Sequence, residues 1–228
     1  MPSPVADAVI ELAGRFSGQL LQPADAGYEE ARKVHNGLVD RRPALIARCR
    51  GVGDIVDAVS LARKLNLEVA VRGGGHNVTG RATVDAGLMI DLAPMKGVHV
   101  DPSSRSVRAQ AGVTWAELNR ETQLHGLAVT GGVVSTTGIA GLTLGGGIGW
   151  LMGKHGLALD NLRSVELVTA EGRVLRASKD GQADLFWPFA AEGATSAWRL
   201  LSSFSCIRLG PRSPAASSHI PLNAPVTC

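Results

Sequence analysis

Val71-Arg72-Gly73-Gly74-Gly75-His76-Asn77-Val78-Thr79-Gly80 is the stretch on which the reading of this chain turns. Three adjacent glycines leave main-chain N–H groups uncovered, so such a loop can close around a phosphate. Arg72 adds a guanidinium beside it, and His76 sets an imidazole at its end. A second glycine cluster follows some sixty residues on, Gly138-Ile139-Ala140-Gly141-Leu142-Thr143-Leu144-Gly145-Gly146-Gly147-Ile148-Gly149. Two separated loops of this kind suit a long diphosphate cofactor better than a mononucleotide. Neither is a dinucleotide fingerprint of the G-x-G-x-x-G type, because frames begun at Gly73, Gly145 or Gly147 all fail at the last glycine.

Outward from these loops, the chain mixes helices and strands without regular alternation. Ser3-Pro4 opens a short helix with Val5, Val9, Leu12 and Phe16 on one side. Ala44-Leu45-Ile46-Ala47 reads as a strand. Asp54 is expected to cap a helix whose buried stripe is Ile55, Ala58, Val59, Ala62 and Leu65. Val69-Ala70-Val71 is a strand entering the first glycine loop, and Leu88-Met89-Ile90 is another. Val98-His99-Val100 pairs with Ser106-Val107-Arg108-Ala109 across Asp101-Pro102-Ser103. Thr114 and Glu117 form a capping box for a helix ending at Gly126. Residues 165–168 and 173–175 make a hairpin around Glu171-Gly172. Frequent hairpins argue for an α+β fold rather than a doubly wound sheet.

Composition limits the function classes. The 228 residues suffice for one large domain or two small lobes. The net charge of +3 comes without a basic run or interleaved aromatics, so no nucleic-acid partner is expected. Cys49, Cys206 and Cys228 are too scattered for a disulfide framework, and without CxxC or HxxxH spacing no metal site is expected. Asp7 and Glu11 interrupt the apolar N-terminal stretch, which spoils it as a signal peptide, and no run would span a bilayer. A cytoplasmic protein without a membrane partner is the expectation.

Taken in order and spacing, several motifs resemble the FAD-binding domain of the vanillyl-alcohol oxidase/p-cresol methylhydroxylase (PCMH-type) superfamily, on the branch of bacterial berberine bridge enzyme-like oxidoreductases. They are Asn36-Gly37, Arg41-Arg42-Pro43-Ala44, the loop ending in His76, Gly131-Gly132-Val133-Val134-Ser135, the second glycine cluster, His155-Gly156-Leu157 with Asp160-Asn161-Leu162, and Asp184-Leu185-Phe186-Trp187. The resemblance implies two small α+β lobes with FAD between them. It implies a division into an N-terminal helix and linker at 1–35, the FAD-binding domain at 36–187, and a tail at 188–228.

The resemblance also implies roles for residues. Arg72, Gly73, Gly74, Gly75, Asn77, Val78 and Thr79 would enclose the diphosphate through their main-chain N–H groups. His76 would attack the flavin 8α-methyl carbon as a neutral imidazole and leave a covalent link. The bland alternatives are a tight turn that needs glycine for its dihedrals, and a loop histidine that faces solvent. Gly132, Val133, Ser135, Thr136, Thr137, Gly138, Gly141, Leu142, Gly147 and Gly149 would follow the diphosphate and isoalloxazine. For some of them, close packing of backbone on backbone is the alternative. Val168 would meet the adenine. Relatives with two covalent links carry cysteine at the place of Val134, so at most one link is expected here. Asp160 and Asn161 are expected to organise a turn, Trp115 and Trp150 to lie in the core, and His35 has no evident partner. No catalytic base is assigned.

The tail reads differently. Residues 188–228 hold five prolines and seven serines against one acidic residue, Glu192, and suggest a poorly ordered segment. In relatives the segment after Leu-Phe-Trp typically reads Ala-Leu-Arg-Gly-Gly-Gly-Gly-Asn-Phe-Gly-Val. Codons straddling Trp187 to Trp198 are GCC, NTT, YGC, NGC, NGA, RGG, NGC, NAC, NTC, NGC and NTG, which can spell that segment without conflict. The expectation is that one nucleotide was lost near codon 187, so that the tail is out of frame and the last strand is missing.

The intact enzyme would pass hydride from an alcohol, a sugar or a similar small-molecule substrate to flavin, with oxygen reoxidising it. The rival readings are a non-catalytic flavin-binding remnant and a nucleotide-binding module without a redox role. Substrate and oligomeric state are not legible.

Overall fold

The computed structural model describes residues 4–184, 186 and 197–208. Two sheets, each with its own apolar core, carry the architecture, in keeping with the expected α+β class. The first holds β1 (Gln19–Leu21), β2 (Leu45–Arg48), β3 (Val69–Arg72) and β4 (Leu88–Asp91) in the order β1-β2-β4-β3. Both β2 and β3 run parallel to β4, with Leu45 and Val69 each in register with Leu88. A central parallel strand is covered on both faces, and every residue of β4 is buried.

Between β2 and β3 runs α3 (Val52–Lys64), which lays Ile55, Ala58, Val59 and Ala62 into the first core. The cap differs from expectation. Gly51 is the N-cap, and Asp54 stands in the first turn with its carboxylate accepting from the N–H groups of Ser17, Arg50 and Gly51. One buried carboxylate thus takes three donors, which a cap serine could not. Residues α1 (Pro4–Ala13) and α2 (Tyr28–Ala31) flank this sheet. The proposed cap Ser3 lies outside the described residues.

The second sheet has the order β5-β6-β10-β8-β9, all antiparallel, from β5 (Val98–Asp101), β6 (Ser106–Gln110), β8 (Leu162–Thr169), β9 (Val174–Ser178) and β10 (Ala197–Ser205). Val107, Ala109, Val165, Leu167, Ala177 and Phe204 turn one face inward onto Trp115 and Leu118 of α4 (Trp115–Gln123). The expected capping box opens α4, since the Glu117 carboxylate accepts from Thr114 N–H at 2.7 Å. Short elements complete the lobe: β7 (Leu127–Ala128), α5 (Ile139–Leu144), α6 (Met152–His155) and β11 (Ile207–Arg208), the last pairing with β7.

Strand β10 corrects the reading of the tail. Part of the segment expected to be without order is the middle strand of this sheet, with Ser203 in register with both Arg108 and Ser164. The reason lies in the slot rather than in the side chains. Without β10 the facing edges of β6 and β8 would bare their main-chain groups, and residues 197–208 contain neither proline nor glycine to prevent pairing. Residues 188–196 and 209–228 lie outside the described residues. Among the described residues no helix is long and apolar enough to cross a membrane.

Candidate functional site

The two glycine loops meet between the end of β3 and the start of α5. Strand β3 delivers the first loop from the first sheet, and the chain between β7 and α6 delivers the second. They touch backbone to backbone. A Cβ on Gly74 would overlap the nitrogen of Gly138, one on Gly138 would overlap Gly74 in return, and one on Gly73 would stand 2.8 Å from the Ala111 carbonyl oxygen. Close packing is therefore the reason for these three glycines. Gly132, Gly147 and Gly149 are packed likewise, against Leu142, Ala158 and the Gly131 carbonyl. Gly75 is at φ +69°, in the left-handed region that glycine adopts at little cost.

Beside this contact lies an open groove of about 370 Å³. One wall is residues 73–77 with Arg81 and Ala82, and the other is Thr137, Gly138, Gly141 and Leu142. Two observations bear on what it can hold. The main-chain N–H groups of Gly73, Gly74 and Gly75 have no protein acceptor among the described residues. Gly141, on the facing wall, has nothing within 4 Å of where a Cβ would stand. Free amides on one side and cleared space on the other fit an extended anion, such as the diphosphate of FAD.

His76 sits at the end of the loop, half-buried. Its ring lies face to face with that of His35, the centroids 3.9 Å apart and the planes 12° from parallel. The Thr136 hydroxyl is 3.1 Å from Nε2, and that of Thr137 is 3.3 Å from Nδ1. The second loop thus grips the histidine of the first. Burial, and then the neighbouring His35 ring, push the His76 pKa below the ordinary histidine value, which favours the neutral imidazole. His35, without an evident partner in the sequence, is itself placed by its N–H donating to the Gly75 carbonyl.

The Arg72 side chain is committed away from the groove. Its guanidinium forms a two-pronged pair with the fully buried Asp91, Nε to Oδ1 at 2.9 Å and Nη2 to Oδ2 at 2.6 Å, and donates to the Lys33 carbonyl. The Arg72 side chain therefore braces the floor of the loop and does not line the groove. Asn77 organises the rest of the loop, its Oδ1 accepting from Thr79 N–H, Thr79 Oγ1 and Arg81 N–H. The Val78 carbonyl accepts from Asn36 Nδ2, and Arg41 donates to the carbonyls of Gly80 and Thr83. The Asn36 and Arg41 motifs thereby tie down the loop they precede.

The remaining candidates divide. Thr137, Gly138, Gly141 and Leu142 line the groove, and Thr136 reaches His76. Val133 and Ser135 are exposed beside them. Val78 and Thr79 are exposed and do not line the groove. Val168 is fully buried in the first core, on a strand flanked by β9 and β10. Trp115 is core as expected, but Trp150 is 86% exposed. Gly149 packs flat on Gly131, which turns its neighbours Ile148 and Trp150 outward. Asp160 and Asn161 do organise a turn, accepting from Leu157 N–H and donating to Thr130, His155 and Leu157 respectively. Arg81, not singled out in the sequence, is the groove-lining residue that spacing alone did not reveal.

Comparison with known proteins gives a consistent picture. The family model for the FAD binding domain matches residues 43–178. The (R)-6-hydroxynicotine oxidase of Paenarthrobacter nicotinovorans is 39% identical over 178 residues, covering 78% of this chain and 39% of that protein. The crystal structure of 6-hydroxy-D-nicotine oxidase from Arthrobacter nicotinovorans superposes with a TM-score of 0.83 at 36% identity, over 85% of this chain and 43% of that one. Glucooligosaccharide oxidase from Acremonium strictum superposes with a TM-score of 0.81 at 28% identity, over 89% of this chain and 42% of that one. That oxidase is described with a 6-S-cysteinyl, 8α-N1-histidyl FAD. The chain spans about two-fifths of the length of the curated relatives it matches.

Proposed function

Because the chain belongs to the family of FAD-binding domains found in FAD-linked oxidoreductases, we propose that its groove takes the diphosphate of FAD and that His76 links covalently to the flavin. The observation that carries this reading is the conjunction at one place of three glycine amides without an acceptor among the described residues, the open space at Gly141, and an imidazole of lowered pKa held by Thr136 and Thr137. FAD, when bound, supplies two-electron redox chemistry that side chains cannot. The chain's own part is to bind and to orient. Gly73, Gly74 and Gly75 offer donors, and Asn77 and Arg41 hold the loop in shape. Thr136 and Thr137 fix the His76 ring, with burial and His35 keeping a lone pair available on it. Val134, where a cysteine would be needed for a second link, leaves a single attachment.

The activity proposed for the whole enzyme is oxidation of an alcohol- or sugar-like small molecule by hydride transfer to flavin, with oxygen as acceptor. The relatives named above, a hydroxynicotine oxidase and an oligosaccharide oxidase, support that class. The domain division proposed is 36–187 for the FAD-binding unit, followed by a segment read out of frame from which β10 is nonetheless added to the unit's second sheet. DNA sequence across codons 180–200 tests the frame: recovery of one extra base supports it, and confirmation of the Pro188 codon removes it. We place the protein in the cytoplasm, on the free buried thiols of Cys49 and Cys206. Acid precipitation after incubation with FAD tests the link. Yellow protein that His76→Ala renders colourless supports it, and flavin wholly released from the parent chain overturns it.

A further inference from the structure

We propose that Arg81, and not Arg72, is the cation that neutralises the cofactor diphosphate. The inference rests on the FAD reading above and goes beyond it. A dinucleotide diphosphate is a dianion, and glycine amides offer it partial charges only. Arg72, next to the glycines in sequence, is withdrawn from this task. Its guanidinium is spent on Asp91, which is fully buried, and on the Lys33 carbonyl. Releasing it would leave that carboxylate with the Ala93 N–H and a single cation, Arg48 at 3.2 Å.

Arg81 is in the opposite condition. It lines the groove, and no other lining residue carries a fixed charge. Its side chain is exposed and makes no hydrogen bond or ion pair among the described residues. Its backbone, by contrast, is held. Asn77 Oδ1 accepts from the Arg81 N–H at 3.3 Å, and Gly80 turns at φ +73° so tightly that a Cβ there would meet Val39 at 2.6 Å. A fixed main chain carrying a free guanidinium at the rim of a groove with bare amides is the arrangement a diphosphate requires.

The test is titration of the full chain with FAD and with riboflavin, which lacks phosphate, followed by flavin fluorescence at several salt concentrations, with His76→Ala as the parent chain throughout so that binding stays reversible. Arg81→Gln should weaken FAD binding roughly tenfold or more. It should leave riboflavin binding unchanged, and it should flatten the salt dependence of FAD binding. Arg81→Lys should restore part of the affinity. FAD binding by Arg81→Gln equal to that of the parent chain overturns the proposal. So does an equal loss for FAD and riboflavin, which would mean a general effect on the loop. A parent chain that binds neither flavin overturns the FAD reading itself. Because Arg81 is exposed and unpartnered, Arg81→Gln should melt with the parent chain.

Discussion

His35 and His76 are stacked with their ring centroids 3.9 Å apart and their planes 12° from parallel, although 41 positions separate them in sequence (76 minus 35). The contact joins the segment after α2 to the end of the first glycine loop. It gives the candidate nucleophile a wall of its own kind of ring, so that two protonated imidazoles would oppose each other across the stack.

The His76 pKa is lowered by burial first and by His35 second. A folded-state pKa below the unfolded value means that stability is present above the unfolded value, about 6.5 for histidine. It is lost as pH falls through the folded value. His35→Phe keeps a ring in the stack that cannot be protonated, so the His76 pKa should rise part of the way toward the ordinary value. Imidazole proton shifts in an NMR titration measure this. An unchanged midpoint would remove His35 as a cause.

Glycine substitutions separate packing from binding. Gly138→Ala forces a methyl group into Gly74, and overpacking of this kind costs about 1–3 kcal/mol. Gly141→Ala meets nothing within 4 Å at a helical position of α5 and should stabilise the fold by about 0.4–1 kcal/mol. Its methyl group projects into the groove, however, and should weaken FAD binding. A Gly141→Ala protein that is destabilised but binds normally would reverse these assignments.

The floor of the loop depends on Asp91. The carboxylate is fully buried, paired with Arg72 and Arg48, and also accepts from Ala93 N–H. Asp91→Ala leaves the buried Arg72 guanidinium facing a cavity, while the more exposed Arg48 can turn to solvent, and should cost about 3 kcal/mol, the low end for removal of one partner from a buried pair. Urea denaturation reads this directly. A cost below ~1 kcal/mol would show that the Arg72 brace is not needed to hold the loop.

What the sequence disclosed is what local spacing encodes. The β5–β6 and β8–β9 hairpins, the Thr114–Glu117 box and the two glycine clusters each lie within a dozen or so residues, and all stand where expected. The parallel placing of β4 between β2 and β3 was not legible, because Leu88 meets Leu45 and Val69 from far along the chain. Arg72 illustrates the same limit. Its neighbours in sequence suggested a phosphate ligand, while its partner in space, Asp91, lay in a strand with nothing to mark it as acidic by design. Trp150 misled because aromatic residues are usually buried, and only the flat contact of Gly149 on Gly131 turns it outward. Strand β10 was missed because the pairing edges of β6 and β8 act on the main chain, which composition does not describe.

The most direct measurement is a crystal structure of the full chain grown with FAD. The diphosphate should lie in the groove between residues 73–77 and Gly141, with continuous density from His76 to the flavin 8α carbon. FAD bound away from both glycine loops, or crystals that remain colourless at saturating FAD, would contradict it.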